Sequence, residues 1–345
     1  MPLSELSNTR MRLMATRTNI LNAGGDLGDQ VYVKNHFFDA LKKNKAIKIG
    51  KYGKGVEFDL LTESSGNSKW MNRYEKYTVS GRPEGRPVVF ELKKLGTTAQ
   101  IDKDSINENS SDEKIWDVVE EASKDSLADI TRTLETALHN TGTDTKAILG
   151  LRAIVADDPT SNPTAYNVGG LSRTNSYWRN QYNTSAGLGA TVNFSVDGRA
   201  ALRSLWTICV RNAPKSAAGT DAEPSLIYCD WDVYNLYQGI HDANDLHVRK
   251  DDKVGSGFRS LVYMLNVPII PGDNANIDGR LYMLNLNKDS KGNPFFGFYI
   301  DSMSNFDLGE WIMPADQPVH LQQIDLRGVF GGPFMKVHGV MYGIS

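Results

Sequence analysis

The chain has 345 residues, 38 Lys and Arg against 41 Asp and Glu, a formal net charge of -3, and 40% hydrophobic and 23% charged residues. That is ordinary globular composition, long enough for one large or two intimate domains with a sizeable core, and the charge balance excludes a dedicated nucleic-acid binder by net charge. Two cysteines, Cys209 and Cys229, make neither a disulfide framework nor a zinc ligand set and fit a reducing folding compartment; no apolar run reaches membrane-spanning length, so no membrane partner is expected.

Residues 1–45 read as an N-terminal arm. Met11, Leu13 and Met14 sit beside Arg10, Arg12 and Arg17, with no apolar stretch and cleavage site of a secretory signal. Gly24, Gly25 and Gly28 then break any helix. A short amphipathic segment follows, with Phe37, Phe38 and Leu41 on one face and Lys42, Lys43 and Lys45 beyond. Alone this region buries little and needs another surface to lie on.

Residues 46–97 read as a long β-hairpin. Ile47 and Ile49 alternate with Lys48; Val56, Phe58 and Leu60 alternate with Glu57 and Asp59; the return arm carries Val88, Val89, Phe90 and Leu92. Between the arms lies a polar, glycine-dotted tip with Trp70, Tyr74 and Tyr77. A hairpin of this length is marginal in water and needs support from a sheet, a helix or a neighbouring chain.

Residues 110–141 give the longest helix. Ser110 and Glu113 form a capping-box pattern, and Ile115, Val118, Val119, Ala122, Ile130, Leu134, Ala137 and Leu138 fall mostly on one stripe, closed by Gly142. Its length of roughly 45 Å makes it a spine. Residues 142–185 are mostly irregular. A second helix spans 196–212, capped by Ser195 and followed by Pro214. Strands at 226–228, 261–265, 267–270, 281–286 and 295–300 and a helix at 233–240 follow, and 320–326 with 334–342 reads as a terminal hairpin around Gly328–Pro333. The class is α+β, without the βαβ repetition of a doubly wound sheet.

No catalytic, cofactor or metal constellation emerges. Gly24-Gly25-Asp26-Leu27-Gly28 lacks the preceding strand and following Lys-Ser or Lys-Thr of a phosphate loop, and reads as a hinge. His36, His139, His241, His247, His320 and His338 are scattered; the closest pair, His241 and His247, is badly spaced for ligands on one helical face. The charge pattern is more informative: residues 42–94 hold 13 Lys or Arg and 6 acids, whereas 101–141 hold 11 acids and 4 Lys or Arg. Two solvated faces would account for this. The sharper expectation is that the basic hairpin lies across the acidic helix of another subunit, with Lys69, Trp70, Arg73, Tyr74 and Lys76 as intersubunit contact candidates.

The order of parts, and the local sequences Gly66-Asn67-Ser68-Lys69-Trp70, Gly150-Leu151-Arg152-Ala153-Ile154-Val155, Gly169-Gly170-Leu171-Ser172-Arg173 leading to Tyr177-Trp178-Arg179-Asn180, Gly257-Phe258-Arg259-Ser260-Leu261, Val267 to Asp273 and Leu281 to Asn285, resemble the Hong Kong 97-type major capsid proteins of tailed phages. That resemblance, from about residue 30 onward, implies an N-terminal arm (1–45), an extended loop (46–100), a peripheral domain with the spine helix (101–189), an axial domain (190–308) and a return to the peripheral domain (309–345). It implies a non-enzymatic subunit whose partners are many copies of itself in hexamers and pentamers of an icosahedral shell, a portal, a decoration protein in some members, and packaged double-stranded DNA without sequence-specific contacts, in a virion assembled in the host cytoplasm. The arm is too short for a cleaved scaffolding segment, so a separate scaffolding protein is expected, and the Lys–Asn cross-link of some members is not carried over. The competing readings are a bacterial nanocompartment shell of related fold, an α+β hydrolase and a receptor-binding virion protein.

Overall fold

The computed structural model describes residues 36–60, 67–77, 85–103, 112–160, 167–184, 194–213, 223–244, 262–263, 267–272, 274–288, 292–314 and 318–344. Most of the expected arm, Ser110 and the Gly257–Leu261 motif lie outside them.

The first body sheet is organised by one strand. β12 (Val319–Gly331) pairs along most of its length with β4 (Lys93–Asp102), antiparallel, from Val319↔Asp102 to Gly328↔Lys93. Its other side is shared by β11 (Asp307–Ile312) and β10 (Gly297–Asp301), both antiparallel. β1 (Ile47–Gly50) closes this sheet, parallel to β10. The spine helix α2 (Asp112–Leu138, 27 residues) lies along β4 and is about 40 Å long. Val119, Leu127, Ile130, Leu134 and Leu138 are buried on it, together with Ser123, Ser126 and Thr131. These three hydroxyls donate to the carbonyls four residues back, Val119 O (2.9 Å), Ala122 O (2.9 Å) and Leu127 O (2.7 Å), so the helix buries them without an unmet polar group. Gly142 (φ +84°) lies in the turn beyond the helix and does not cap it; Asn140 N closes the last turn on Ala137 O at 3.1 Å.

The second sheet is covered on both faces. Its order is β5 (Gln181–Thr184), β13 (Gly339–Tyr342), β9 (Leu281–Leu284), β6 (Leu226–Asp230), β8 (Val267–Gly272) and β7 (Val262–Tyr263). Alternate residues serve two cores: Leu226, Tyr228, Tyr282, Leu284 and Val340 join the core shared with the first sheet, while Ile227, Cys229, Leu281, Met283 and Met341 pack with α4 (Phe194–Arg211) and α5 (Trp231–Asn244). Burial on both faces explains the unbroken apolar runs at 226–229 and 281–284. α4 starts at Phe194, so Ser195 lies in its first turn and not at the cap.

Two further expectations are corrected. The amphipathic segment is α1 (His36–Lys43), and the surface it lies on is the chain's own: Phe37, Phe38 and Leu41 are fully buried, with Phe37 against Tyr228 (4.8 Å between centroids) and Phe330 (5.6 Å), and Phe38 against Phe298 (5.5 Å). α1 and β1 therefore belong to the body, and neither a free arm nor a hairpin holds them. The terminal hairpin also fails, because β12 and β13 enter different sheets. Gly331 and Gly332 mark close approach, not a hairpin turn: a Cβ on Gly331 would strike the Phe90 ring, and one on Gly332 the Phe295 carbonyl.

Candidate functional site

The hairpin itself is β2 (Gly55–Leu60) against β3 (Arg86–Glu91), antiparallel from Gly55↔Glu91 to Leu60↔Arg86. Its base is anchored in the body. Val56, Val88 and Phe90 are buried, and Phe58 packs edge-on to Phe90 (6.1 Å) and Tyr299 (5.6 Å). Val89 N donates to Gly169 O at 3.1 Å. Gly169 sits in a tight turn at φ +59°, followed by Gly170 at φ +78°, and a Cβ at Gly169 would overlap the Val88 side chain. Gly169→Ala is therefore expected to cost about 2 kcal/mol, from left-handed backbone plus lost packing, read as a lower denaturant midpoint.

The motifs that carry the family resemblance act here as internal ties. Arg173, fully buried, donates from Nη2 to the Ala153 and Ile154 carbonyls at the end of the single helical turn α3 (Leu151–Ile154). Trp178 Nε1 donates to Val168 O at 2.9 Å. Asn180 accepts from Ala156 N at 3.1 Å and donates to Ala156 O at 2.8 Å. Arg280 grips Asp157 with two guanidinium nitrogens, Nε to Oδ1 at 2.9 Å and Nη2 to Oδ2 at 2.8 Å. Together these hold the 150–180 segment that supports the hairpin base.

Between the two arms, residues 67–77 are largely exposed. Trp70 is 101% exposed, Tyr74 93% and Tyr77 83%. Single exposed aromatics are unremarkable, but three within eight residues of a projecting loop form a surface that water covers poorly. The cations are interleaved with them. Arg73 holds its guanidinium 5.6 Å from the Tyr74 ring centroid, Lys76 is exposed, and Lys69 Nζ lies 2.6 Å from Glu75 Oε1. That hydrogen bond, then the one from Asn72 N, holds the Glu75 carboxyl below its ordinary pKa. The candidates Lys69, Trp70, Arg73, Tyr74 and Lys76 thus share one tip. On α2, Asp125 and Asp129 are exposed, as are Lys124 and Arg132, the last within 4.0 Å of Asp129.

The titratable groups elsewhere are set mainly by burial. His139, at the end of α2, has Nε2 2.8 Å from Tyr228 Oη and Nδ1 2.7 Å from Glu135 O; burial lowers its pKa. His338 is fully enclosed, and its pKa is pushed down to about 3 by burial. Cys209 and Cys229 are buried thiols, the first raised to about 12 by burial. Among the described residues no group of three His, Cys, Asp or Glu side chains converges as metal ligands, and no helix is long and apolar enough to cross a membrane.

The described residues thus form a two-sheet α+β body with a long helix along one sheet and a two-stranded hairpin packed on it, an architecture found in solved capsid and encapsulin chains. The chain is similar to a chain of the cyanophage A-1(L) capsid asymmetric unit (TM-score 0.54, 15% identity, 87% of this chain and 90% of that one). It is similar to a chain of the capsid of an empty GTA particle (TM-score 0.51, 9% identity, 88% and 90%). It is also similar to the SrpI encapsulin from Synechococcus elongatus PCC 7942, solved as the holo complex (TM-score 0.50, 11% identity, 87% and 86%). No protein-family model and no curated protein sequence matches the chain. The fold is the Hong Kong 97-type capsid fold.

Proposed function

We propose that the chain is the major capsid protein of a tailed phage, forming hexamers and pentamers of an icosahedral shell that encloses double-stranded DNA. One observation carries the reading: the shell-subunit fold over most of the chain, with a fully exposed aromatic and basic hairpin tip that the subunit itself does not cover. Such a tip is suited to a neighbouring copy, with Arg73 and Lys76 directed to an acidic surface such as the outer face of α2 and the aromatic rings supplying contact area. The subunit has no catalytic role in this reading. A separate scaffolding protein guides assembly in the host cytoplasm, a portal occupies one vertex, and a decoration protein is accommodated outside. DNA fills the interior without sequence-specific contacts.

The likeness to an encapsulin supports a second reading, a nanocompartment shell that encloses a protein cargo. Negative-stain imaging and sedimentation of the purified full-length chain, alone and co-expressed with the products of its neighbouring genes, test both. Closed particles of uniform diameter are expected. Nuclease-protected DNA inside them supports the capsid reading, and a co-purifying enzyme supports the compartment. A chain that stays monomeric at micromolar concentration under all these conditions overturns both.

A further inference from the structure

The hairpin tip contains an internal tie that a contact role alone does not require. Lys69 Nζ donates to Glu75 Oε1 at 2.6 Å, and Glu75 Oε2 accepts from the backbone N of Asn72 at 3.0 Å. Glu75 N donates in turn to Asn72 O at 3.0 Å. One carboxylate thus joins a lysine six residues back to both ends of a tight turn. Inside that turn Tyr74 has φ +96°, a backbone region L side chains rarely adopt. The tip has no core to impose this shape: residues 68–77 are exposed, apart from half-buried Met71. Among the described residues packing does not hold the turn; the backbone bond from Glu75 N to Asn72 O closes it, and the Glu75 carboxylate is the side chain that braces it.

We infer that Glu75 is a positioning residue. With Lys69 it forms a latch that arranges Trp70, Arg73, Tyr74 and Lys76 before a second copy arrives, and Lys69 serves the latch rather than the contact. This rests on the reading that the tip docks on another copy of the chain. A loop ordered beforehand loses less conformational freedom on docking, which strengthens association without any added contact. The surface it fits is acidic with an apolar centre, because Arg73 and Lys76 flank exposed rings while the charge of Lys69 is met internally.

The latch and a plain charge attraction predict opposite signs. Glu75→Gln makes the tip more positive. If net charge alone governed docking on an acidic surface, assembly would tighten; if Glu75 holds the turn, assembly weakens. The experiment uses full-length wild type, Glu75→Gln, Lys69→Ala and the double variant. It reads the lowest concentration giving closed particles, and hydrogen exchange of the 67–77 amides in dissociated subunits. Each single variant is expected to raise that concentration about threefold, as befits an exposed ion pair. The double variant is expected to add nothing further, since both changes remove the same bond, and exchange at 67–77 quickens in all three. Assembly of Glu75→Gln at lower concentration than wild type, or additive effects of the two changes, overturns the latch. Unchanged exchange in Glu75→Gln overturns it even where no particles form. Wild type that never forms particles overturns the shell reading, and the exchange data then judge the latch on their own.

Discussion

Subunits carrying Arg73→Glu and Lys76→Glu together are expected to fold normally and form no closed particles. Both side chains stand on the tip, flanked by Trp70 and Tyr74, which are 101% and 93% exposed. Neither enters a core, so the thermal midpoint should stay within about 2 °C of wild type, the usual outcome for surface changes. The assembly effect is large for two reasons. Each reversal exchanges attraction for like-charge repulsion at an acidic surface, which is far costlier than neutralisation. The loss also recurs at every subunit of a closed particle, because a symmetric shell repeats its contacts. Calorimetry of the variant beside wild type checks the first half, and sedimentation velocity the second. Particles of normal yield would remove the tip from assembly. A lowered melting temperature would mean that the tip stabilises its own subunit.

Acid should weaken the subunit well above the carboxylate range. His338 accepts from Asn285 N through Nδ1 at 3.2 Å and packs 4.7 Å from the Phe296 ring, so in the folded chain it is neutral, with its proton on Nε2. Its folded pKa of about 3 lies below the 6.5 of an exposed histidine. Between those values the unfolded chain holds a proton that the folded chain does not. Stability is therefore greatest above pH 6.5 and falls as pH drops towards 3, by up to about 1.4 kcal/mol per pH unit and about 5 kcal/mol in all. His139, lowered chiefly by burial against Tyr228, acts in the same direction. Urea midpoints at pH 7, 6 and 5 would check this, since few carboxylates titrate there. His338→Gln, which keeps an acceptor for Asn285 N but cannot take up the proton, should be less stable at pH 7 and show a shallower slope. An equal slope in wild type and variant would contradict the assignment.

Periodicity made the strong elements legible. The helix stripe at Val119, Ile130, Leu134 and Leu138 is buried as its spacing implies. Leu127 was missed because Ser123, Ser126 and Thr131 interrupt the apolar pattern, and these hydroxyls satisfy themselves on their own helix. Local patterns do not show which sheet a strand joins. Ile47 and Ile49 alternate like hairpin residues, yet their strand pairs with residues 298–301. The glycine cluster at 328–332 resembles a turn, but it lets Phe90, Phe295 and Phe298 approach the backbone. The exposed tip was readable because its aromatics stand in a polar, glycine-dotted stretch with no partner stripe. The bond from Lys69 to Glu75 was not, since it depends on the turn at Asn72 and on the left-handed backbone of Tyr74.

The double pairing of β12 imposes an order on synthesis. β4 leaves the ribosome long before its principal partner, the stretch of β12 paired from Val319↔Asp102 to Gly328↔Lys93. Pairing of such high contact order forms slowly and late. While the chain is still growing, the hairpin between β1 and β4 is therefore carried by an unfinished body sheet. The base of the hairpin therefore settles onto its sheet only once β12 has been made and has found β4 and β10.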